Sequence, residues 1–124
     1  MADVPSFDRF FIGGEWVKPS SSETFTVVSP YTEEVLGTAP AAQEADIDAA
    51  VAAARDAVEN GPWARMSGVE RAEGMRRLHD VFIAKSNDLA ELITAEVGAT
   101  LLFSHFGQVG AAGMVLDYFC NLTK

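Results

Sequence analysis

The spacing of apolar residues changes period near residue 44, and that change separates a strand-rich beginning from a helical remainder. Before it, short apolar runs alternate with turn residues. Phe10–Ile12 and Glu15–Val17 flank Gly13-Gly14, which predicts a tight hairpin, because the favoured two-residue turns need positive φ. Phe10, Phe11 and Ile12 make this ribbon apolar on both sides, so it is expected to be covered. Pro19-Ser20-Ser21-Ser22 reads as a loop and Phe25–Val28 as a third strand. Ser29-Pro30-Tyr31-Thr32 reads as a turn, since a proline biases the residue before it away from helix. Val35–Ala39 reads as a fourth strand, stopped at Pro40.

From Glu44 the period becomes helical. Ile47, Val51, Ala54 and Val58 line one face. Glu44, Asp46 and Asp48 crowd the first turn, where acids interact well with unpaired N–H groups. Asn60-Gly61-Pro62 ends this helix. Ser67 and Glu70 form a capping box ahead of a second stripe: Val69, Ala72, Met75, Leu78, Val81 and Phe82. Lys85 suits its last turn, and Ser86-Asn87-Asp88 reads as a short polar break. A third helix carries Leu89, Leu92, Ile93 and Val97 and closes at Gly98. So short a connection predicts that the second and third helices lie antiparallel and bury facing stripes. The last helix, Leu101–Leu122, places Leu102, Phe106, Val109, Gly113, Leu116 and Cys120 on one side. Phe103, Met114 and Phe119 appear elsewhere, so burial on more than one face is expected.

The fold class is therefore α+β, mainly helical. An N-terminal β-hairpin and a small antiparallel sheet precede about four helices. Residues 1–8 read as a loose arm and residues 9–124 as one domain, with the sheet in 9–40 and the helical part in 44–122.

Composition adds one thing to this picture. Apolar residues make up 48% of the 124 residues, and counting glycine brings the share to roughly 55%, above the usual share of about 45–50%. The excess fits either apolar surface meant for a partner or an alanine-rich helical protein. The net charge of −9, from 18 acidic and 9 basic residues, argues against nucleic-acid binding, which needs clustered cations. Arg71, Arg76 and Arg77 stand amid Glu70, Glu73 and Asp80 and read as a solvated ion-pair face. A single cysteine, Cys120, excludes an internal disulfide and leaves a reducing compartment, hence the cytoplasm, as the expectation. No apolar run approaches a membrane span of about 18–20 residues, and no secretory signal is visible.

Candidate chemistry is sparse. Gly107, Gly110 and Gly113 do not have the spacing or the preceding strand of a dinucleotide loop. They read as a stripe of small residues that lets a neighbour approach closely. Cys120 reads as a buried structural cysteine, with no His or Arg close in sequence to activate it. His79 is expected on the polar side of its helix and His105 at the edge of a packed one. Neither has the spacing of a zinc ligand. Glu33 and Glu34 are adjacent, and adjacent strand residues point to opposite faces, so they cannot act as a pair. No catalytic, cofactor-binding or metal residue is assigned.

Several segments together resemble the start of the aldehyde dehydrogenase superfamily. They are Phe11-Ile12-Gly13-Gly14-Glu15-Trp16-Val17, Val28-Ser29-Pro30-Tyr31-Thr32-Glu33-Glu34-Val35-Leu36-Gly37, and the first helix around Ala49–Ala57. Gly61-Pro62-Trp63, Glu70-Arg71-Ala72 and Glu96-Val97-Gly98 follow in the same order. Ala99-Thr100-Leu101 departs from the family's turn after the third helix. The resemblance implies an incomplete domain, the N-terminal segment of an NAD(P)-dependent enzyme that oxidises aldehydes to carboxylic acids. It implies that the nucleophile, the base and the nucleotide-binding loop lie outside this segment. Gly107-Gln108-Val109-Gly110 is similar to the family's nucleophile motif but has Gly110 where sulfur is needed. The resemblance also implies a possible monovalent-cation position at Thr26 and Glu96. The resemblance implies the rest of the parent enzyme as partner, and the apolar last helix predicts self-association of the chain by itself. The competing reading is a standalone helical interaction module without enzymatic activity.

Overall fold

The computed structural model describes residues 6–122. Strands β1 (Phe10–Ile12) and β2 (Glu15–Val17) pair antiparallel, with Ile12 opposite Glu15. Gly13 and Gly14 take φ of 62° and 88° in the turn, as the tight hairpin requires. Strands β3 (Thr24–Val28) and β4 (Val35–Pro40) form a second antiparallel pair, irregular between Val27 and Val28. Helix α1 (Glu44–Glu59), a 3-10 turn (Trp63–Arg65), α2 (Gly68–Ala84) and α3 (Ser86–Val97) follow. Helix α4 (Leu101–Phe103) continues through a π-helical segment (Ser104–Gly110) into α5 (Ala111–Asn121). The architecture is the mainly helical α+β arrangement expected.

The chain forms two compact units. One holds residues 6–28 and 34–65, so α1 groups with the strands; the other holds 29–33 and 66–122. Of the segment read as an arm, residues 1–5 lie outside the described residues, while Phe7 stacks flat on Trp16 with ring centroids 5.3 Å apart.

In the strand-bearing unit, α1 packs on β1, and a methyl group on Gly13 would sit 3.7 Å from the Ala53 Cβ. The rotation of α1 is held at its first turn. The buried Asp46 carboxylate accepts from the Ser20 N–H at 2.9 Å, the Ser20 hydroxyl at 2.8 Å and the Gln43 N–H at 2.9 Å. With Asp46 turned in, the stripe that starts one residue later faces out. Ile47, Val51 and Val58 share one face, but they are 54%, 54% and 69% exposed. The expected cover on the hairpin is likewise one-sided. Phe10 and Ile12 are half-buried, whereas Phe11 points to the opposite face, is exposed and tilts against Trp16. Alternation along a strand requires this when a ribbon has a neighbour on one side only.

In the other unit, the Ser67–Glu70 capping box forms as expected. The Ser67 hydroxyl accepts from the Glu70 N–H at 3.3 Å, and the Glu70 carboxylate accepts from the Ser67 N–H at 2.7 Å. The expected antiparallel pairing of α2 and α3 does not occur. Only Lys85 separates them, and Ser86, Asn87 and Asp88 form the first turn of α3 instead of a loop. The Lys85 N–H still bonds back to the carbonyls of Val81 and Phe82, and the Lys85 carbonyl already accepts from Leu89. A break of one residue leaves no slack for a reversal. Helix α2 therefore packs mainly on α5, and α3 on the π segment. Ala90, Val109 and Cys120 are the buried apolar residues of this unit among the described residues.

Helix α3 ends at Gly98, whose φ of 74° is left-handed. A Cβ there would also lie 2.8 Å from the Pro30 ring. Pro30 is held in a serine turn: the Ser29 hydroxyl accepts from the N–H groups of Tyr31 and Thr32 at 3.3 and 3.2 Å. Replacing Gly98 by Ala adds left-handed strain of about 1–2 kcal/mol. The expected outcome is a lower urea midpoint with unchanged slope; an unchanged midpoint would show that this cap is not required.

Candidate functional site

The most organised side-chain cluster lies where α2 meets α5. Gly113 is buried there, and a methyl group on it would come within 2.8 Å of Ile83 and 3.8 Å of Phe82. The close approach expected of the small-residue stripe is thus made at Gly113. Gly107 and Gly110 do other things: the Phe103 ring covers Gly107, and Gly110 lies beside the His105 carbonyl.

Beside this contact, the Arg76 guanidinium donates to the Asp117 carboxylate and, at 3.3 Å, to the Asn121 side-chain carbonyl. Asn121 in turn donates to the Asp117 backbone carbonyl at 2.9 Å and to its carboxylate at 3.3 Å. The hydrogen bond from Arg76 holds the Asp117 carboxyl below its ordinary range, and the same bond raises Arg76 further. This corrects the reading of the arginines as a solvated ion-pair face. Arg76 is half-buried and pairs across helices, Arg71 caps the Met66 carbonyl at 2.7 Å, and Arg77 is exposed. His79 meets Asp80 at 3.3 Å, and its side chain is only 18% exposed. The fold also brings Arg76 into the neighbourhood of Cys120, although the two are far apart in sequence. Cys120 itself is 1% exposed, the buried cysteine expected.

The sequence held one sign of this cluster that spacing arguments passed over. Asp117 is the only charged residue between Leu101 and Leu122, set four residues before Asn121. A lone acid in an apolar helix needs a cation from another element.

The second feature is the π segment. Ser104 is wholly buried and accepts a hydrogen bond from the Thr94 hydroxyl of α3 at 3.0 Å. The buried positions run Ser104, Val109, Gly113, Cys120. The first step spans five residues, which is the π repeat. That extra residue rotates the start of the helix away from the predicted stripe, so Leu102 and Phe106 are 70% and 67% exposed. An open pocket of about 470 Å³ results, lined by Leu101, Leu102, Phe106 and Ala90 with Asn87, Glu91 and His105 among them. His105 sits edge-on to Phe106, ring centroids 5.1 Å apart.

None of this builds a nucleotide cradle. A pyrophosphate site needs free N–H groups at a helix N-terminus. Gly107–Gly113 instead lies in the interior of a continuous helix, where the Ala111 N–H is bonded to the Gln108 carbonyl. The residues present do not fit the dinucleotide that the family resemblance implies. Thr26 on β3 and Glu96 on α3 belong to different units, and each is exposed. Among the described residues, no group of three or more His, Cys, Asp and Glu side chains is placed to hold a metal. Glu33 and Glu34 precede β4 and are not in a strand, and Glu33 takes φ of 60°. The departure at Ala99-Thr100-Leu101 has a local role: the Thr100 hydroxyl caps α4 by accepting from the Phe103 N–H at 3.3 Å.

Two small antiparallel sheets and the helices that follow them make up the described residues. The profile of the aldehyde dehydrogenase family matches residues 16–124, and the chain belongs to that family. It is 34% identical over 115 residues to aldehyde dehydrogenase 1 of Tanacetum cinerariifolium, covering 93% of this chain and 23% of that protein. It is 37% identical over 114 residues to 3-sulfolactaldehyde dehydrogenase of Pseudomonas putida, covering 92% of this chain and 23% of that protein. A crystal structure of Mycobacterium tuberculosis aldehyde dehydrogenase complexed with NAD+ superposes with a TM-score of 0.90 at 35% identity. It covers 95% of this chain and 24% of that one. The chain thus spans about a quarter of the length of these relatives and corresponds to an N-terminal aldehyde dehydrogenase segment.

The Arg76–Asp117 pair carries a pH signature. A carboxyl held below its ordinary value of 3.8 stabilises the fold above that value, and the contribution is lost as pH falls through the folded value. Asp117→Asn is therefore expected to lower the melting temperature at neutral pH and to leave it nearly unchanged once the carboxylates are protonated. A constant difference across that pH range, measured by circular dichroism, would show that the pair does not act through its charge.

Proposed function

We propose that this chain is the N-terminal scaffold of an NAD(P)-dependent aldehyde dehydrogenase that oxidises an aldehyde to a carboxylic acid in the cytoplasm. The observation that carries the reading is the mismatch between apolar surface and cover in a chain similar to a quarter of such enzymes. Among the described residues, the only buried apolar side chains are Ala41, Ala90, Val109 and Cys120, while Phe11, Trp16, Ile47, Leu102, Phe106 and Met114 are more than half exposed. Patches of that kind mark contact surfaces. In this reading residues 9–124 form part of one larger domain, and the rest of the enzyme covers those faces.

The segment brings no reacting group of its own. Its one thiol is buried, and Gly113 is taken up in the packing of α5 on α2. NAD or NADP is bound elsewhere in the enzyme, and the chain alone neither turns over aldehyde nor holds the nucleotide tightly. Left uncovered, the same faces favour self-association of the isolated chain.

Two measurements test this. With propanal or benzaldehyde and NAD or NADP, the isolated chain is expected to give no NADH or NADPH absorbance above a heat-denatured control; clear turnover would refute the scaffold role. Light scattering of the isolated chain is expected to show concentration-dependent oligomers. A clean monomer at high concentration would contradict self-association.

A further inference from the structure

We propose that the pocket between α3 and the start of the last helix seats an apolar side chain flanked by a Lys or Arg, both supplied by the polypeptide that covers this face in the complete enzyme. This rests on the scaffold role proposed above and adds the chemistry of one segment that role requires. Asn87, Ala90 and Glu91 share one face of α3 and line one side of the pocket; Leu102, His105 and Phe106 line the other. Ala90 is wholly buried at its floor, while Leu102 and Phe106 stand largely exposed at its walls. The pocket is open to one side, so its occupant is a side chain projecting from a covering surface. The relatives are about four times as long as this chain, which is polypeptide enough to supply one.

Charge decides what accompanies that side chain. From Ser86 to Leu122 the sequence carries Asp88, Glu91, Glu96 and Asp117 and no Lys or Arg. Asp117 is taken by Arg76. Glu91 is exposed, and among the described residues no ion pair or hydrogen bond reaches it. Lys85, the nearest cation before it in sequence, does not line the pocket. Facing water, a carboxylate needs no partner. Once polypeptide lies over Leu102 and Phe106, Glu91 loses part of its hydration, and a carboxylate so covered must be paired. Asn87 offers only a neutral amide, and His105 sits edge-on to Phe106. The positive charge therefore comes with the covering segment, whose Lys or Arg stem also packs on the apolar walls.

The test titrates three unlabelled peptides into the full, isotope-labelled chain and reads the methyl signals of Leu101 and Leu102 by NMR. The peptides are Gly-Lys-Leu-Phe-Lys-Gly, the same with Glu for both Lys, and the same with Ala for Leu and Phe. Low salt is used, where charge effects are largest. The Lys peptide is expected to shift these signals, and the Glu and Ala peptides to bind roughly tenfold more weakly, from like-charge repulsion and the lost apolar anchor. Glu91→Gln is expected to remove most of the preference for Lys over Glu, while Glu73→Gln on α2 leaves it intact. No shift with the Lys peptide, equal binding of the Lys and Glu peptides, or a preference that survives Glu91→Gln would overturn the proposal. So would an Ala peptide that binds equally well, or shifts that follow chain concentration alone, which would give the pocket to a second copy. Each of these failures leaves the scaffold role standing, because that role fails on turnover by the isolated chain.

Discussion

An apolar face that its own chain does not cover constrains everything else in this molecule. Core residues of a folded domain normally include Leu, Ile, Phe and Met. Here the largest wholly buried side chains are those of Cys120 and Ser104. Local contacts hold the elements in place, while the large side chains stay at the surface. The first turn of α1 shows how. Asp46 is fixed by Ser20 and Gln43, and that polar anchor points the stripe of Ile47, Val51 and Val58 away from β1. A helix free to choose would bury the stripe. Here Ile47, Val51 and Val58 stay more than half exposed instead.

The helical unit repeats the arrangement with different chemistry. Gly113 lets α5 approach α2, and Arg76 bridges to Asp117 and Asn121 beside the contact. Neither feature brings reacting groups together. Both position one helix against another and leave outer faces apolar. The family relationship gives this arrangement a context, since related enzymes are about four times as long as this chain.

Features governed by neighbours in sequence were legible before the structure was known. Gly13-Gly14 turned where positive φ was needed, Ser67 and Glu70 capped α2, and Gly98 closed α3 in the left-handed region. Each depends on a few adjacent residues and on rules that hold regardless of packing. What was not legible depended on tertiary choice. The stripe of α1 was read on the right face, but no local rule says which face a carboxylate anchor will turn inward. Arg76 was read as solvated because its partner Asp117 lies on another helix. The stripe along the last helix failed at its start because one extra residue in Ser104–Gly110 shifts the phase, and apolar spacing alone does not show an insertion. In the candidate site, only the burial of Cys120 and the close approach at Gly113 were anticipated.

The central claim is that the outer faces of this chain are uncovered by the chain itself, and α1 offers the sharpest case. Stability of the isolated chain with Ile47, Val51 and Val58 all replaced by Ala, measured by urea unfolding, tests it most directly. Alanine is the better helix former, so the account predicts stability equal to or slightly above that of the parent. A loss on the order of 2–5 kcal/mol per site, as buried aliphatic side chains give, would show that the chain buries this face after all.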